Sequence, residues 1–574
     1  MSPTPLRSLR LRSAINRTPF TNFANSEANR MKRLIDRSVG LLVCCGAGMA
    51  LATSLGCNKK VEGAAATAAP TTAPGDGGAI DGGVGCIVGN APPRTFSDAI
   101  APEALLKVMS ATADWQLAAP PKWATNLWHY AAFWVGMTKF APLAEDSKYY
   151  DAIKKNGEAN EWKPGARPGH ADDQSITSSY FYVYSVERDH ETIEPALARF
   201  DEMAKKPYDE PLKWDEIKET PGKTASGTQA IQLREWAWCD ALFMAPTAMA
   251  LATTSTGDMK YLNLADKLWW KTTDYLYDKN EHLYFRDSRF FEKREANGKK
   301  VFWSRGNGWV LAGTARMLQN MPESYPDRAG YISLFRDMAT KVASLQGKDG
   351  FWRSSLLDPD SVPQPESSGT GFYTYALAWG VNQGILDRAT FEPAIRKGWS
   401  AITGAVLPDG KLGWVQQVGY QPGETCWDGT EVYGVGALLL AGSELYRTAL
   451  LGGSPRVTRS IKNPKPEGRF DDAVEVSLQP EETQAVASGS KLVAVDGRSG
   501  EFLPTQPKEG APNRLLVLVR SLDPSEERHI HIYRVAPGVK LPPVKAGALT
   551  RQAAESTAAG HKKLPALVVK VVAS

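Results

Sequence analysis

Cysteine and histidine are scarce: the 574 residues hold 6 Cys and 7 His. Cys44, Cys45, Cys57 and Cys86 stand near the start, which leaves Cys239 and Cys426 for everything that follows. Two cysteines so far apart make neither a disulfide framework nor a zinc-ligand spacing, and no metal or cofactor is expected. Tryptophan is missing from the first 114 and the last 147 residues, although the chain has 17, all between Trp115 and Trp427. Strand-like alternation is almost absent from 100–450. Beyond one short N-terminal stretch, no run approaches the roughly 18 to 20 apolar residues of a membrane span. A basic excess is also lacking in the body. The first 60 residues carry ten Lys and Arg against two acids, and the remainder holds 57 basic and 61 acidic residues. Nucleic acid is therefore not an expected partner.

The basic opening runs into an apolar stretch, Val39 to Gly56, and then Ser54-Leu55-Gly56-Cys57. Basic residues, a short apolar region and small residues before a cleavage point predict a secretory signal, with Met31-Lys32-Arg33 as its start. The end at Cys57 resembles a bacterial lipoprotein signal, so lipidation of Cys57 is expected, with a soluble exported protein or a retained anchor as alternatives. Residues 1–57 are assigned to an over-called start, 1–30, followed by this leader. Residues 58–92, rich in Ala, Thr, Pro and Gly, cannot bury a core and read as a tether.

Residues 93–454 alternate two kinds of helical segment. One kind is apolar almost all round, over 126–140, 173–186, 240–253, 307–321, 369–383 and 431–446, as a buried helix must be. The other is amphipathic, over 103–117, 148–156, 193–205, 259–276, 329–346 and 390–405. Six of each interleave, and the last four buried segments recur roughly every 62 to 67 residues. Such a repeat predicts an all-α (α/α)6 toroid, with an open solenoid as the runner-up. From 455 to 574 the pattern becomes short Val- and Leu-rich runs, at 474–478, 491–496, 514–521, 528–535 and 566–573, separated by Gly, Pro and Asp. That predicts a small antiparallel β module.

Parallel inner helices bring their N-termini to one mouth, and the polar clusters of the sequence stand there. They are His170-Ala171-Asp172-Asp173, Trp236 to Asp240, Trp303 to Trp309, Glu366 to Thr370, and Trp427 to Glu431. Any one Asp or Ser could be a helix cap worth about 1 kcal/mol. Five clusters on one rim, rich in Trp, His and Arg, predict a ligand site instead. Indole faces stack on sugar rings, Asp and His bond hydroxyls, and an Arg fork holds a carboxylate. Paired carboxylates, Asp172 or Asp173 with Asp240, could supply an acid and a base. Physics alone thus reaches a carbohydrate-active enzyme for uronic acids.

The motifs His170 to Asp173, Trp238-Cys239-Asp240 through Met244, Trp303-Ser304-Arg305-Gly306-Asn307-Gly308-Trp309, Glu366 to Thr370 and Thr430 to Ala437 together resemble the unsaturated rhamnogalacturonyl hydrolases of glycoside hydrolase family 105, related to the family 88 unsaturated glucuronyl hydrolases. The resemblance covers about 100–450. It implies the (α/α)6 fold and release of a 4,5-unsaturated uronic acid from the non-reducing end of lyase-generated pectic oligosaccharides. It also implies protonation at C4 and hydration at C5, with Asp240 as acid and base and Asp172 as the second acidic residue, Asp173 competing for that place. Trp303, Arg305 and Trp309 match substrate-binding positions, Arg305 facing the uronate carboxylate or its neighbouring hydroxyls. His170, Trp238, Met244, Glu366 and Trp427 complete the expected lining. Relatives often have His where Arg286 stands, which makes a second anion contact available.

Other signals have plainer readings. His529 and His531 could pair on a metal but lack a third ligand, Gly434 to Gly436 reads as close helix packing, and Cys239 as structural. A disulfide between Cys239 and Cys426 is not expected, and Asp349-Gly350 and Asp409-Gly410 read as turns. A glycan-binding lipoprotein without activity and a polysaccharide lyase on the same toroid are the alternatives to the hydrolase.

Overall fold

Helices apolar on every side must be wrapped by others, and the computed structural model shows how. It describes residues 90–214, 228–452, 454, 456–464, 469–522, 526–542 and 568–572, all within Pro74–Ser574, one of the chain's two compact units. The leader, Cys57, Cys86 and most of the tether lie outside the described residues. Among the described residues no helix is long and apolar enough to cross a membrane.

The inner ring consists of α2 (Trp128–Phe140), α4 with α5 (Ala171–Ser175, Thr177–Glu187), α8 (Ala241–Thr256), α10 (Ser304–Asn320), α12 (Ser367–Asn382) and α14 (Val432–Leu451). Each packs on the next, and α14 returns to α2, closing a toroid. The closure depends on glycine, because a Cβ on Gly136 would strike the backbone of Gly436, and one on Gly436 the backbone of Ala132. Around the ring lie α1 (Pro102–Ala118), α3 (Lys148–Ala159), α6 (Glu194–Ala204), α9 (Met259–Leu276), α11 (Arg328–Ser344) and α13 (Arg388–Gly404). The interleaved helices expected from the sequence are all present. Two details differ: the second inner helix is interrupted at Ile176, and a short α7 (Thr228–Arg234) precedes α8. Ser175 and Thr177 hydroxyls bond back to the carbonyls of Asp172 and Gln174 at that interruption, a pattern that bends helices.

The C-terminal part is two antiparallel sheets. One has the order β10-β3-β9-β5-β6 and the other β4-β8-β7, built from β3 (Arg456–Lys462), β4 (Arg469–Ser477), β5 (Lys491–Asp496), β6 (Phe502–Leu503), β7 (Thr505–Lys508), β8 (Ala511–Leu522), β9 (Glu527–Val535) and β10 (Val568–Val572). The expected strands are found; β3, β6, β7 and the helix α15 (Pro480–Ala487) are additions. Alternation along β5 gives it two jobs, since successive side chains point to opposite faces. Leu492 and Ala494 enter the core between the sheets with Val517 and Ile530, whereas Val493 and Val495, with Val535 of β9, join the core of the toroid. The sheets meet the toroid at the C-terminal ends of the inner helices. Lys139 pairs with Glu501 at 2.6 Å and Glu323 with His529 at 2.9 Å. The module closes the end opposite the mouth.

Cys239 is buried and free, while Cys426 is disulfide-bonded. The two are not joined to each other, as expected; that Cys426 would be in a disulfide at all was not foreseen from the sequence. His529 faces Glu323, and His531 Nδ1 lies 2.9 Å from Thr458 Oγ1.

Candidate active site

Three turns at the mouth are laced together by backbone and amide bonds. The first, Trp236 to Asp240, leads into α8. The second leaves the hairpin of β1 (Tyr277–Asp278) and β2 (Leu283–Tyr284) and carries Arg286. The third opens α10 with Trp303 to Asn307. Cys239 N–H donates to the Arg286 carbonyl at 2.9 Å. Buried Asn307 accepts from Tyr284 N–H at 2.7 Å and donates to the carbonyls of Tyr284 and Trp303 at 3.0 and 3.1 Å. The side chains of Asp240 and Arg286 are thereby presented from rigid backbone.

Asp240 is 8% exposed. Arg286 Nε donates to its Oδ2 at 3.3 Å, and the Cys239 thiol lies 3.7 Å from its Oδ1. Burial raises its pKa above the usual aspartate value, and the opposing pull of Arg286 and Arg305 does not cancel that rise. Desolvation disfavours the charged carboxylate, so the proton is held to higher pH. Burial likewise raises the Cys239 thiol, which is no nucleophile in that state. Gly306 keeps room for the carboxyl: a Cβ there would sit 3.4 Å from Asp240 Oδ1, 3.2 Å from Cys239 Sγ and 2.9 Å from the Trp303 ring.

The His170 turn meets the Asp240 turn through rings, His170 and Trp238 lying 5.0 Å apart. His170 caps α4, its Nδ1 accepting from Asp172 N–H at 3.2 Å. The adjacent acids differ in their surroundings. Asp173 is clamped by Arg167, whose Nε and Nη2 reach its Oδ1 at 3.0 and 2.6 Å. The buried Asp172 carboxyl lies 3.9 Å from His170 Nδ1.

Several expected lining residues have other employment. Arg305 is wholly buried; instead of facing a uronate it donates to the carbonyls of Gln416 and Gln417 at 2.7 and 2.9 Å, between the rings of Trp303 and Tyr433. It therefore shapes the 416–420 loop. Trp303 Nε1 donates to Gln416 Oε1 at 2.8 Å. Glu366 caps α12, accepting from Ser368 and Gly369 N–H at 3.0 and 2.7 Å, so the capping reading holds there. Trp309 and Met244 are buried, Trp309 packing on Phe243 and Phe372. Trp427 is half-buried.

Sequence reasoning missed a second layer around Arg286. Buried Asp287 joins it to Arg289, and both guanidiniums lie against Trp214 and Tyr420. The run Arg286-Asp287-Ser288-Arg289 was a visible signal, but Trp214 and Tyr420 come from distant loops. The rim also holds a stack, with Trp123 on His129 at 4.2 Å, His129 on Trp128 at 3.8 Å, and Trp128 on Tyr433 at 5.5 Å.

Comparison with known proteins follows the same residues. The family model described as Glycosyl Hydrolase Family 88 matches residues 101–449. The chain is 42% identical over 342 residues to an unsaturated 3S-rhamnoglycuronyl hydrolase of Formosa agariphila, covering 58% of this chain and 88% of that protein. It is 41% identical over 321 residues to a protein of the same name from an Alteromonas species, covering 56% and 77%. Among solved structures, a glycosyl hydrolase family 88 protein from Bacteroides vulgatus aligns at TM-score 0.53 and 27% identity, covering 60% of this chain and 99% of that one.

Proposed function

The chain belongs to glycosyl hydrolase family 88, and from that premise we propose that it removes a 4,5-unsaturated uronic acid linked to rhamnose from the non-reducing end of lyase-generated oligosaccharides. It is a glycosidase, as its relatives at 41% and 42% identity are. The names of those relatives support rhamnose as the following sugar. The observation that carries the reading is Asp240, a buried carboxyl whose pKa burial raises and which is aimed by Arg286.

In this reading Asp240 gives its proton to C4 of the vinyl ether, and the carboxylate so formed takes a proton from the water that adds at C5. The hemiketal at C5 then opens, and the hemiacetal at C1 releases the next sugar. Bond cleavage follows from hydration of the double bond, so the usual carboxylate-separation rule for glycosidases does not govern the outcome. Asp172 serves as the second acid, the place the family resemblance gives it, while Asp173 is held in the Arg167 clamp. His170 and Trp238 hold the Asp172 turn against Asp240, and half-buried Trp427 offers a ring to the sugar.

The test is the ultraviolet absorbance of the conjugated double bond. It falls when the protein meets an unsaturated uronyl-rhamnose disaccharide; no fall with this or any other unsaturated disaccharide refutes the hydrolase. A rise with intact polysaccharide would establish a lyase, and binding without product a glycan-binding protein.

Export as a lipoprotein through Cys57 is part of the same proposal. The basic leader and apolar run support it, as does the disulfide at Cys426, which suits an oxidising compartment. Labelling of cells with a radioactive fatty acid should mark the wild-type chain and leave Cys57→Ala unlabelled; equal labelling removes Cys57 from the role.

A further inference from the structure

We propose that the cleft at the closed end of the toroid, between the inner helices and the β module, is a second sugar site that takes the carboxylate of a uronic acid on Arg328. The site stands apart from the mouth; the choice of a uronic acid rests on the hydrolase reading above.

The cleft has a volume of about 580 Å³, inside the roughly 300–1,000 Å³ of small-molecule sites. Tyr325, Arg328 and Gln383 line it from the toroid, and His529 and His531 from the module. Arg328 opens α11, and its Nη1 donates to the carbonyls of Leu318 and Met321 at 2.8 and 2.9 Å, at the end of α10. Its Nε and Nη2 have no hydrogen-bond partner among the described residues, and neither is sealed from solvent. Those two nitrogens form one edge of the guanidinium, the edge that matches a carboxylate through two parallel bonds.

The charge balance points the same way. The bonded partners of Arg328 are carbonyls, not carboxylates. Burial pushes its pKa down to about 10, Arg498 adding to the fall and Glu323 and Glu526 opposing it. Both of those acids are engaged elsewhere. Glu323 turns to His529 at 2.9 Å, and Glu526 is held by Arg498 and Arg528 at 3.0 and 2.7 Å. Arg328 is thus a cation with too little compensation, which favours an anion from outside.

The other groups of the cleft suit the rest of a sugar. The Gln383 amide, just past α12, has no partner among the described residues and is open to solvent. His531 Nδ1 lies 2.9 Å from Thr458 Oγ1, which leaves Nε2 for a hydroxyl. The Tyr325 hydroxyl donates to Asn263 Oδ1 at 3.1 Å, so Tyr325 offers the cleft its ring, beside Ile332 and Ile385. Polar groups together with an aromatic and aliphatic wall match the hydroxyl rim and the apolar face of a pyranose.

The scarcity of histidine makes the site observable. With carbon-13 at imidazole Cε1, His531 reports the cleft and His170 the mouth in one NMR titration of the full chain at pH 7.5, and His531→Asn identifies the first signal. D-Glucuronate should shift the His531 signal saturably, with a Kd about 10- to 100-fold below that for D-glucose, the range for a pair of charge-assisted hydrogen bonds. Arg328→Gln, which keeps a donor for the helix carbonyls, should raise that Kd by the same factor. Gln383→Ala should raise it about 3- to 10-fold, with Tm showing that each variant is folded. If a polymer of the same uronic acid shifts the signal at a lower uronate concentration, the polymer is the source of the ligand; if only the monosaccharide shifts it, the free sugar is. A signal that glucuronate does not move, that glucose moves equally, or whose Kd both variants leave in place overturns the site. Turnover of the unsaturated disaccharide with a silent His531 removes the cleft alone. A His531 response without turnover removes the hydrolase reading and leaves the cleft.

Discussion

Two buried aspartates, each beside two arginines, behave in opposite ways. At the mouth, burial raises Asp240 and Arg286 and Arg305 fail to bring it back. In the β module, burial pushes Asp496 up as well, but Arg528 and Arg498 prevail and hold it below the usual carboxylate value. The difference lies in hydrogen bonds to the charged form. Asp496 accepts from the N–H groups of Arg498 and Ser499 at 2.9 and 2.8 Å and from Arg528 Nη1 at 3.1 Å. Asp240 has one guanidinium contact at 3.3 Å and a thiol at 3.7 Å. The module satisfies its carboxylate, whereas the mouth leaves one carboxyl underserved and therefore willing to keep its proton.

Replacing each aspartate with asparagine should separate the two cases. Asp240→Asn removes the proton donor and should lower kcat by about 10²- to 10⁴-fold. Its stability should move the other way. A raised acid stabilises the fold while protonated and loses that contribution as pH rises above the ordinary aspartate range. The neutral asparagine should thus melt no lower than wild type at pH 7, and a marked fall in Tm would show that the surroundings stabilise the Asp240 carboxylate rather than penalise it. Asp496→Asn should leave kcat unaltered and cost about 3–5 kcal/mol, because it leaves Arg528 and Arg498 buried with less compensation. Denaturant titration reads that cost. Asp496 is a depressed acid, so its contribution is full above the unfolded value and disappears as pH falls through the folded one. An equal loss of stability in both variants would erase the distinction.

A milder change probes the space that keeps Asp240 underserved. Gly306→Ala puts a methyl 2.9 Å from the Trp303 ring and 3.4 Å from Asp240 Oδ1. The Trp303 ring must move and the Cys239 thiol, 3.2 Å away, must give by a few tenths of an ångström; the disturbed turn misaligns Asp240, and kcat should fall about 10-fold with KM little altered, as expected of a misaligned proton donor. Steady-state kinetics checks this; an unaltered kcat would mean that the turn relaxes elsewhere.

The toroid was legible in the sequence because six all-round apolar helices interleaved with six amphipathic ones favour a closed ring over an open solenoid, and β5 and β9 because alternation survives in Val- and Ile-rich runs. Local order in the site was legible too: Asp240, Arg286 and Asn307 stand in motifs whose backbones bond directly to one another. Burial and partner choice were less so. Arg305 looked like a substrate contact, yet the 416–420 carbonyls claim it. Glu366 looked like lining and is a cap. In both cases the competing partner is a backbone group far away in sequence or hidden in the same turn, and neither leaves a mark in composition or spacing. The Trp214 and Tyr420 walls come together only when the toroid closes.

The smallest expected effect lies at the closed end. His531 sits at a cleft of about 580 Å³ between the module and the toroid, lined also by Glu323, Arg328, Gln383 and His529. Burial, helped by Arg456 and His529 and opposed by Asp496, pushes its pKa down to about 4. An unfolded chain binds that proton below the ordinary histidine value of 6.5, whereas the folded chain refuses it until near 4. Stability from this residue is therefore complete above pH 6.5 and drains away as pH falls toward 4. His531→Asn, which cannot be protonated, should flatten the Tm against pH curve within that window while keeping the wild-type Tm at pH 7.5 within a few degrees. Because the cleft lies at the opposite end from Asp240, kcat at neutral pH should not follow. If kcat fell with the same substitution, the two ends would be coupled through the inner helices, and the contrast between a mouth that withholds compensation and a module that supplies it would have to be read as one linked system.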